Sequence, residues 1–537
     1  MSADDASRRG FLKLAGMGIA GTVLGGRATR SFAYMSRTGQ ANSPQTVFDL
    51  KAFGATADGK TLDTPAINKA IDAASSAGGG VVRFPVGTYL CFSIRLKSNV
   101  ALLLDPGATI LGADSTPGAN GNGYDIAEPN RWDMYQDFGH SHWRNSLIWG
   151  EDLENVSILG PGLIWGKSLS RGDGTGPNAE VPGVGNKVIA LKNCRNVTLR
   201  DFSVLHGGHF AVLATGVDNF TIDNLKIDTN RDGIDIDCCR NVKVSNCSVN
   251  SPYDDGICLK SSYGLGYARP TERVAITNCY VTGRFKVGAL LDGSLQPVNS
   301  SAHPSGCGRI KFGTESNGGF KNIVISNCIF EDCQGLALET VDGGLLEDVA
   351  ITNLAMRGIV SAPIFLRLGS RMRGPAGVEV GQLRRINISN IVVSGSSSRF
   401  ASIISGIPGH RIEDVHLSDI HIQQEGGGTN EDSVLMLPEK ETEYPEPTMF
   451  GTTPAYGFYV RHVKGITMTN VGISSMKKDL RPAFVLDDVE AGDFFRVKLQ
   501  PAGAAPAFAL KTVEDFSVSG SAPIPDTRLS YVDEKKL

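Results

Sequence analysis

The residues able to do chemistry crowd into one stretch. Asn230-Arg231-Asp232-Gly233-Ile234-Asp235-Ile236-Asp237 is followed by Tyr253-Asp254-Asp255-Gly256 and then by Lys260. Asp254 and Asp255 stand 22 and 23 residues after Asp232, at matching phases of two successive strand-like repeats. Carboxyl groups set one coil apart would share a single groove. Crowded like charges raise at least one pKa and so keep an acid protonated near neutral pH. Glycoside hydrolysis by inversion needs that arrangement: one acid protonates the leaving oxygen while carboxylates on the other face orient and deprotonate water, at roughly 6.5–9.5 Å. Coils of a solenoid stack at about 4.8 Å, so residues offset across adjacent coils reach the required distance. A plainer reading stays open, with Asp232, Asp235 and Asp237 as alternating outward residues of one strand and Asp254-Asp255 as a solvated turn.

The elements that must position these groups are repeated. Ten tetrapeptides share a pattern, among them Asn155-Val156-Ser157-Ile158, Asn196-Val197-Thr198-Leu199, Asn219-Phe220-Thr221-Ile222, Asn241-Val242-Lys243-Val244, Asn322-Ile323-Val324-Ile325 and Asp348-Val349-Ala350-Ile351. The closest spacings are 23, 22 and 26 residues, and most units are followed by Asn or Asp and a further apolar residue. Short alternating strands at a period of ~20–50 residues indicate a solenoid. Few stretches have helical periodicity, so the expected fold is all-β: a right-handed, single-stranded parallel β-helix with inward Ile, Val and Leu stacked on the coil below. The asparagines after the strands are expected to stack as a hydrogen-bonded ladder at the turns.

At 537 residues, length alone suggests about three domains. The repeats predict instead one body, residues 45–520. The best helix candidate is 64–77, with Asp63 as cap, Pro65 in the first turn, and Ile67, Ala70, Ile71 and Ala74 on one face before Gly78-Gly79-Gly80. Its expected job is to cover the open apolar end of the solenoid.

Ser7-Arg8-Arg9-Gly10-Phe11-Leu12-Lys13, the apolar run 14–24 and the small-residue site at Ser31-Phe32-Ala33 look like a bacterial twin-arginine export signal over residues 1–33. The mature protein is therefore expected in the periplasm or secreted, without a membrane span. Lys plus Arg number 52 against 56 for Asp plus Glu, a balance with no nucleic-acid footprint. Cys194, Cys247, Cys279 and Cys328 each follow an asparagine at a similar phase. That favours a buried ladder of thiols, with disulfides and metal binding as alternatives. No Cys-x-x-Cys pair exists and the His-x-His of 140–142 lacks a third ligand, so neither a catalytic metal nor another cofactor is expected. A monomer is expected.

Phe48-Asp49-Leu50-Lys51-Ala52-Phe53-Gly54-Ala55, Asp58-Gly59-Lys60-Thr61 and Gly78-Gly79-Gly80-Val81-Val82-Arg83-Phe84-Pro85-Val86-Gly87-Thr88-Tyr89 resemble the amino-terminal region of polygalacturonases and other pectin-active β-helix proteins. Asn230-Arg231-Asp232 with Asp254-Asp255 and Lys260 resembles the Asn-Thr-Asp and Asp-Asp motifs of glycoside hydrolase family 28, the polygalacturonase family, over about residues 45–355. The resemblance implies a pectin-lyase-like solenoid in a divergent bacterial member. It implies Asp254 as general acid, with Asp232 and Asp255 holding the water. Asn230, Arg231, Lys260, His209, Arg309 and Lys311 are the expected contacts to a polysaccharide or oligosaccharide of galacturonan or rhamnogalacturonan type.

Two departures accompany the match. The family's Gly-His-Gly corresponds to the stretch Cys307-Gly308-Arg309-Ile310-Lys311-Phe312-Gly313-Thr314-Glu315, without the histidine. Its Arg-Ile-Lys carboxylate clamp falls at Ala337-Leu338-Glu339, so Arg309, Lys311 or Arg231 must supply replacement charge. Three outcomes follow: an exo-acting or side-chain-specific relative, cleavage of another glycoside, or lost catalysis. A noncatalytic carbohydrate-binding β-helix is the alternative from another class, ahead of a polysaccharide lyase. His140 or His142 could replace the missing histidine, Trp143 could stack on a sugar, and His206 or His209 could border the cleft. Residues 426–456 form either a wall that turns the groove into a pocket, favouring exo action, or a mobile surface loop. Arg367, Arg371 and Arg373 read as loop or surface charges.

Overall fold

The computed structural model describes residues 46–115, 123–172, 176–298, 306–500 and 505–537. The expected export signal lies outside the described residues. Those described belong to one compact unit, Gln45–Leu537. No helix among them is long and apolar enough to cross a membrane.

The unit is a parallel β-helix. Each central coil supplies three short strands, as in Phe210–Thr215, Asp218–Asp223 and Lys226–Asp228, and each strand pairs in parallel with its counterpart one coil on. The repeats fall in one column: Val156, Val197, Phe220, Val242, Val274, Ile323, Val349, Ile386, Val415 and Ile466 follow one another in register, all buried. Alternation along each strand turns these side chains into the core, where every coil covers the one before.

The residue preceding each column residue takes left-handed backbone, and in the central coils it is asparagine, φ +57° at Asn155, +56° at Asn196, +55° at Asn219 and +56° at Asn241. Asparagine tolerates this region, and its amide joins the coils. Asn155, Asn196, Asn219 and Asn241 each donate from Nδ2 to Oδ1 of the asparagine one coil earlier, at 2.8–3.0 Å. From Phe320–Glu331 onward the second and third strands fuse into single elements of 12 to 18 residues, still bent at a left-handed residue such as Asn327, Asn353 or Asn390.

The helix Thr64–Ser76 buries Ile67, Ala70, Ile71 and Ala74 completely against the first strands. Its cap differs from expectation. The Asp63 carboxylate makes no cap bond and instead accepts the backbone N–H groups of Thr56 and Ala57 at 2.7 and 3.0 Å, tying the helix to the preceding turn. At the far end, Thr527–Lys536 lies antiparallel on Phe508–Ser519 and closes the last parallel edge.

All ten cysteines are free, nine of them buried. The thiol column corrects the expected grouping. Register places Cys247, Cys279 and Cys328 in one column with Leu225 before and Leu354 after. Cys194 stands at a different corner, in line with Val217 and Cys239. Asparagine precedes cysteine at both corners, so the dipeptide alone did not distinguish them.

Candidate active site

The strand Asp232–Asp237 alternates inward Ile234 and Ile236 with outward Asp235 and Asp237, and all six residues are buried beneath insertions. Gly233 permits the close stacking: a Cβ there would lie 2.3 Å from the Gly256 carbonyl oxygen of the next coil. That coil presents Asp254 and Asp255, and the one after it presents Cys307, Arg309 and Lys311. The three carboxylates singled out in the sequence thus meet. The Asp255 N–H donates to Asp232 Oδ1 at 3.2 Å and to Asp254 Oδ1 at 3.0 Å.

Their surroundings differ. Asp232 is 3% exposed, and burial, then Asp235 and Asp254, push its carboxyl well above the usual range. Burial would also raise Asp255, but Lys311, Arg309 and Lys260 outweigh it and hold this carboxylate ionised. Arg309 Nε lies 2.8 Å and Lys311 Nζ 3.5 Å from it. Asp254, with 26% of its side chain exposed, is ion-paired to Arg231 Nε at 2.7 Å. Asp235 is fully buried; burial, opposed by Lys260, sets its carboxyl at about 7. Asp237 serves structure instead, accepting the Ser262 N–H and hydroxyl at 2.7 Å each.

The other expected contacts are scattered around this core. Arg231 Nη2 is 3.3 Å from His209 Nε2, and the His209 ring stacks on Phe210. Asn230, with its amide oxygen toward Arg171, accepts from Nε at 2.6 Å and Nη1 at 3.1 Å. Lys260 Nζ lies 3.3 Å from Glu315, beneath His140. Arg309 and Lys311, 1% exposed each, are held by acids of the chain: Asp255 on one side and Glu446 of the 426–456 segment on the other, with Glu339 3.6 Å from Lys311.

Several readings of the insertions are corrected. Trp143 is fully buried and donates from Nε1 to Thr215 Oγ1 at 3.1 Å, so its ring offers no sugar platform. His142 stacks on Phe138, and His206 accepts from Trp165 Nε1 on the far side of the strand turn. Arg367 and Arg371 are not surface charges: Arg367 is buried under the 426–456 segment, and Arg371 pairs with Asp342 at 2.5 Å. Asp235, Glu315 and Glu446 belong to the site but lie outside the family motifs that drew attention to their neighbours.

Beside Arg231 and His209 opens a cavity of about 610 Å³, walled by Asp137, Phe138, Asn178 and Glu180. Another of about 630 Å³ lies at a different corner, between Asp152, Arg195, Asp218 and Arg269, and neither cavity is lined by Asp232, Asp254 or Asp255. Two groups have the geometry to hold an ion, each with ligand atoms within 4.8 Å of one another: His140, Asp232 and Asp235, and Asp254, Asp255 and Cys307. In the first, Lys260 already supplies a positive charge to Asp232 and Asp235.

Comparison with known proteins fits this architecture. Residues 188–362 match the family described as "Right handed beta helix region", and residues 47–146 the one described as "Rhamnogalacturonase A/epimerase, pectate lyase-like". The chain is 25% identical over 327 residues to a probable polygalacturonase of Vitis vinifera, covering 56% of this chain and 63% of that one. It is 23% identical over 377 residues to the exo-poly-alpha-D-galacturonosidase of Dickeya chrysanthemi, covering 60% and 57%. The chain thus spans about three-fifths of the length of these curated relatives. The solved family 28 exopolygalacturonase of Yersinia enterocolitica superposes with TM-score 0.60 at 19% identity, over 83% of this chain and 77% of that one, a likeness of fold.

Proposed function

We propose that the protein is an exported, monomeric glycoside hydrolase of the polygalacturonase type, cleaving a glycosidic bond in a pectic or related plant polysaccharide with inversion. The observation that carries this reading is the meeting of three carboxyl groups from successive coils in unlike surroundings: the Asp255 N–H donates to Asp232 Oδ1 at 3.2 Å and to Asp254 Oδ1 at 3.0 Å, Asp232 is buried, Asp255 faces Arg309 and Lys311, and Asp254 is the most exposed. Carboxyl groups whose surroundings drive them apart can divide acid and base work between them.

In this reading Asp254, the most exposed of the three, protonates the leaving oxygen as the bond from the anomeric carbon breaks. Water held by Asp255 and Asp232 attacks from the opposite face and gives its proton to Asp255; carboxylate oxygens of Asp254 and Asp255 approach within 4.8 Å, closer than the roughly 6.5–9.5 Å usual for inverting pairs. Arg231 pairs with Asp254 and also lines the 610 Å³ cavity, so an acidic sugar entering there competes with Asp254 for the guanidinium.

Digestion of a panel of pectic oligosaccharides, with the products sized, tests the reaction. Inverted reducing sugar should appear with wild-type protein and vanish in Asp254→Asn with ligand binding retained. Full activity in that variant sinks the assignment. A second reading, a binding β-helix without catalysis, draws on the same Arg231–Asp254 and Arg309–Asp255 ion pairs, which satisfy both carboxylates without substrate. It predicts binding with no product from any substrate of the panel.

A further inference from the structure

The carboxylate of Glu446 lies in the fork of the Arg309 guanidinium, 3.2 Å from Nη1 and paired also with Nη2, and its Oε1 is 3.5 Å from Lys311 Nζ. It arrives from 137 residues away in sequence. The segment that carries it is fastened by buried cations. Arg367 donates to the Glu439 and Lys440 carbonyls at 2.8 and 3.0 Å, and Arg461 to those of Leu437 and Pro438 at 2.8 and 2.9 Å. Tyr444 adds a hydroxyl 3.2 Å from Lys311 Nζ and a ring facing the ammonium at 5.1 Å.

The charges around this point can be counted. Arg309 and Lys311 bring two positive charges, and Asp255 answers one. One cation remains, and Glu446 takes it. An arginine fork is the geometry that grips a carboxylate in two-point fashion, and here the chain fills it with its own side chain. A second carboxylate brought by a ligand would meet no uncompensated cation and two anions; a ring bearing only hydroxyl groups would not be repelled.

We propose that Glu446 is a specificity-determining residue: it occupies a carboxylate slot on the Asp255 side of the site, so the sugar lying there is neutral. This rests on the hydrolase reading for its consequence. The preferred substrate then presents a neutral sugar at this position, rather than a run of uronates.

Calorimetry with trigalacturonate and with an oligosaccharide alternating galacturonate and a neutral deoxyhexose tests the assignment. Wild-type protein should bind the mixed oligomer about tenfold or more tightly than trigalacturonate, the size of one desolvated charge-assisted contact. Glu446→Gln, which keeps the shape, and Glu446→Ala, which opens the slot, should tighten trigalacturonate by about tenfold or more with little change for the mixed oligomer. Unchanged or weaker trigalacturonate binding, in variants whose circular dichroism and melting match wild type, overturns the proposal. Should the alanine variant fail to fold, the glutamine variant decides alone. Repeating the titrations in the Asp254→Asn background reads binding without turnover, so a switch there with no sugar released by the wild-type protein refutes the hydrolase reading and leaves Glu446 in its slot.

Discussion

Asp232 and Asp255 are joined through one backbone hydrogen bond, from the Asp255 N–H to Asp232 Oδ1 at 3.2 Å. The donor belongs to the main chain of the following coil, so the stacking of the solenoid, rather than side-chain rotamers, sets how far apart the two carboxyl groups lie. Gly233 makes the approach possible, since a side chain there would run into the Gly256 carbonyl. Opposite protonation tendencies are then fixed by what surrounds each group: burial with Asp235 and Asp254 beside Asp232, Lys311 and Arg309 beside Asp255.

Asp235 makes stability depend on pH. Its carboxyl sits at about 7 in the folded protein, against about 3.9 when unfolded. Between those values the folded state keeps a proton that the unfolded state has released, so stability falls as pH rises through the window. Asp232, Lys260 and His140 surround the group and remain in the variant. Asp235→Asn should therefore differ little from wild type at pH 4 and become relatively more stable by roughly 1–4 kcal/mol at pH 7. Urea melts at pH 4, 5.5 and 7 check this; a constant offset would mean that Asp235 titrates normally.

The asparagine ladder should be worth measuring at Asn219. It donates to Asn196, accepts from Asn241 and holds φ +55°. Asn219→Ala should cost about 1–3 kcal/mol through lost bonds and left-handed strain. Asn219→Gly should recover the conformational share. Equal losses in the two variants, read by thermal melting, would assign the whole effect to hydrogen bonding.

The cysteines act as packing, not as cross-links. Of ten free thiols only Cys307 is partly exposed, 3.4 Å from Asp255. Native protein should react with about one equivalent of a thiol reagent or less, because burial holds the remaining thiols out of reach. Unfolded protein should yield ten. Reductant should leave the melting temperature unchanged; a fall would reveal a disulfide.

Ion dependence separates two uses of His140, Asp232 and Asp235, whose ligand atoms approach within 4.8 Å. Lys260 already compensates the carboxyl groups from below, and a second cation would repel it. Hydrolysis should therefore persist in EDTA. Loss of activity restored by Ca²⁺ or Mn²⁺ would assign the cluster to a metal.

The fold was legible because its signals are local and periodic. Ten apolar positions recur with asparagine or another turn residue before them, and all ten fall in one column. The motif that brings Asp232, Asp254 and Asp255 together was legible for the same reason, since it rides on that period. What escaped lies on the insertions, which carry no period to place them. Glu446 reaches Arg309 across 137 residues, and nothing in its neighbourhood signals a buried ion pair. Trp143 was misread because an aromatic residue in a loop suits a sugar platform and a plug over Phe210 and Leu213 equally well; only packing distinguishes them. Arg367 looked like a surface charge, yet it stands within the otherwise apolar strand Ile364–Leu368, in register with Glu339, and is buried by a later segment.

That segment should respond to Arg367 before the solenoid does. The guanidinium donates to Ser405 Oγ and the Gly406 carbonyl below, and to the Glu439 and Lys440 carbonyls above, with Phe450 over it at 5.4 Å. Arg367→Ala leaves these carbonyls without their shared donor, at a cost of about 3–5 kcal/mol confined largely to the overlying segment. Limited proteolysis should then cut within residues 431–446 about tenfold or more faster, while the parallel coils keep their hydrogen-exchange protection. Because the same segment delivers Glu446 to Arg309, its loosening should also bring a gain in affinity for trigalacturonate. Faster cutting without that gain would separate the anchoring of the segment from the filling of the carboxylate slot. Unchanged cutting would show that Arg461, bound to the Leu437 and Pro438 carbonyls, holds the segment by itself.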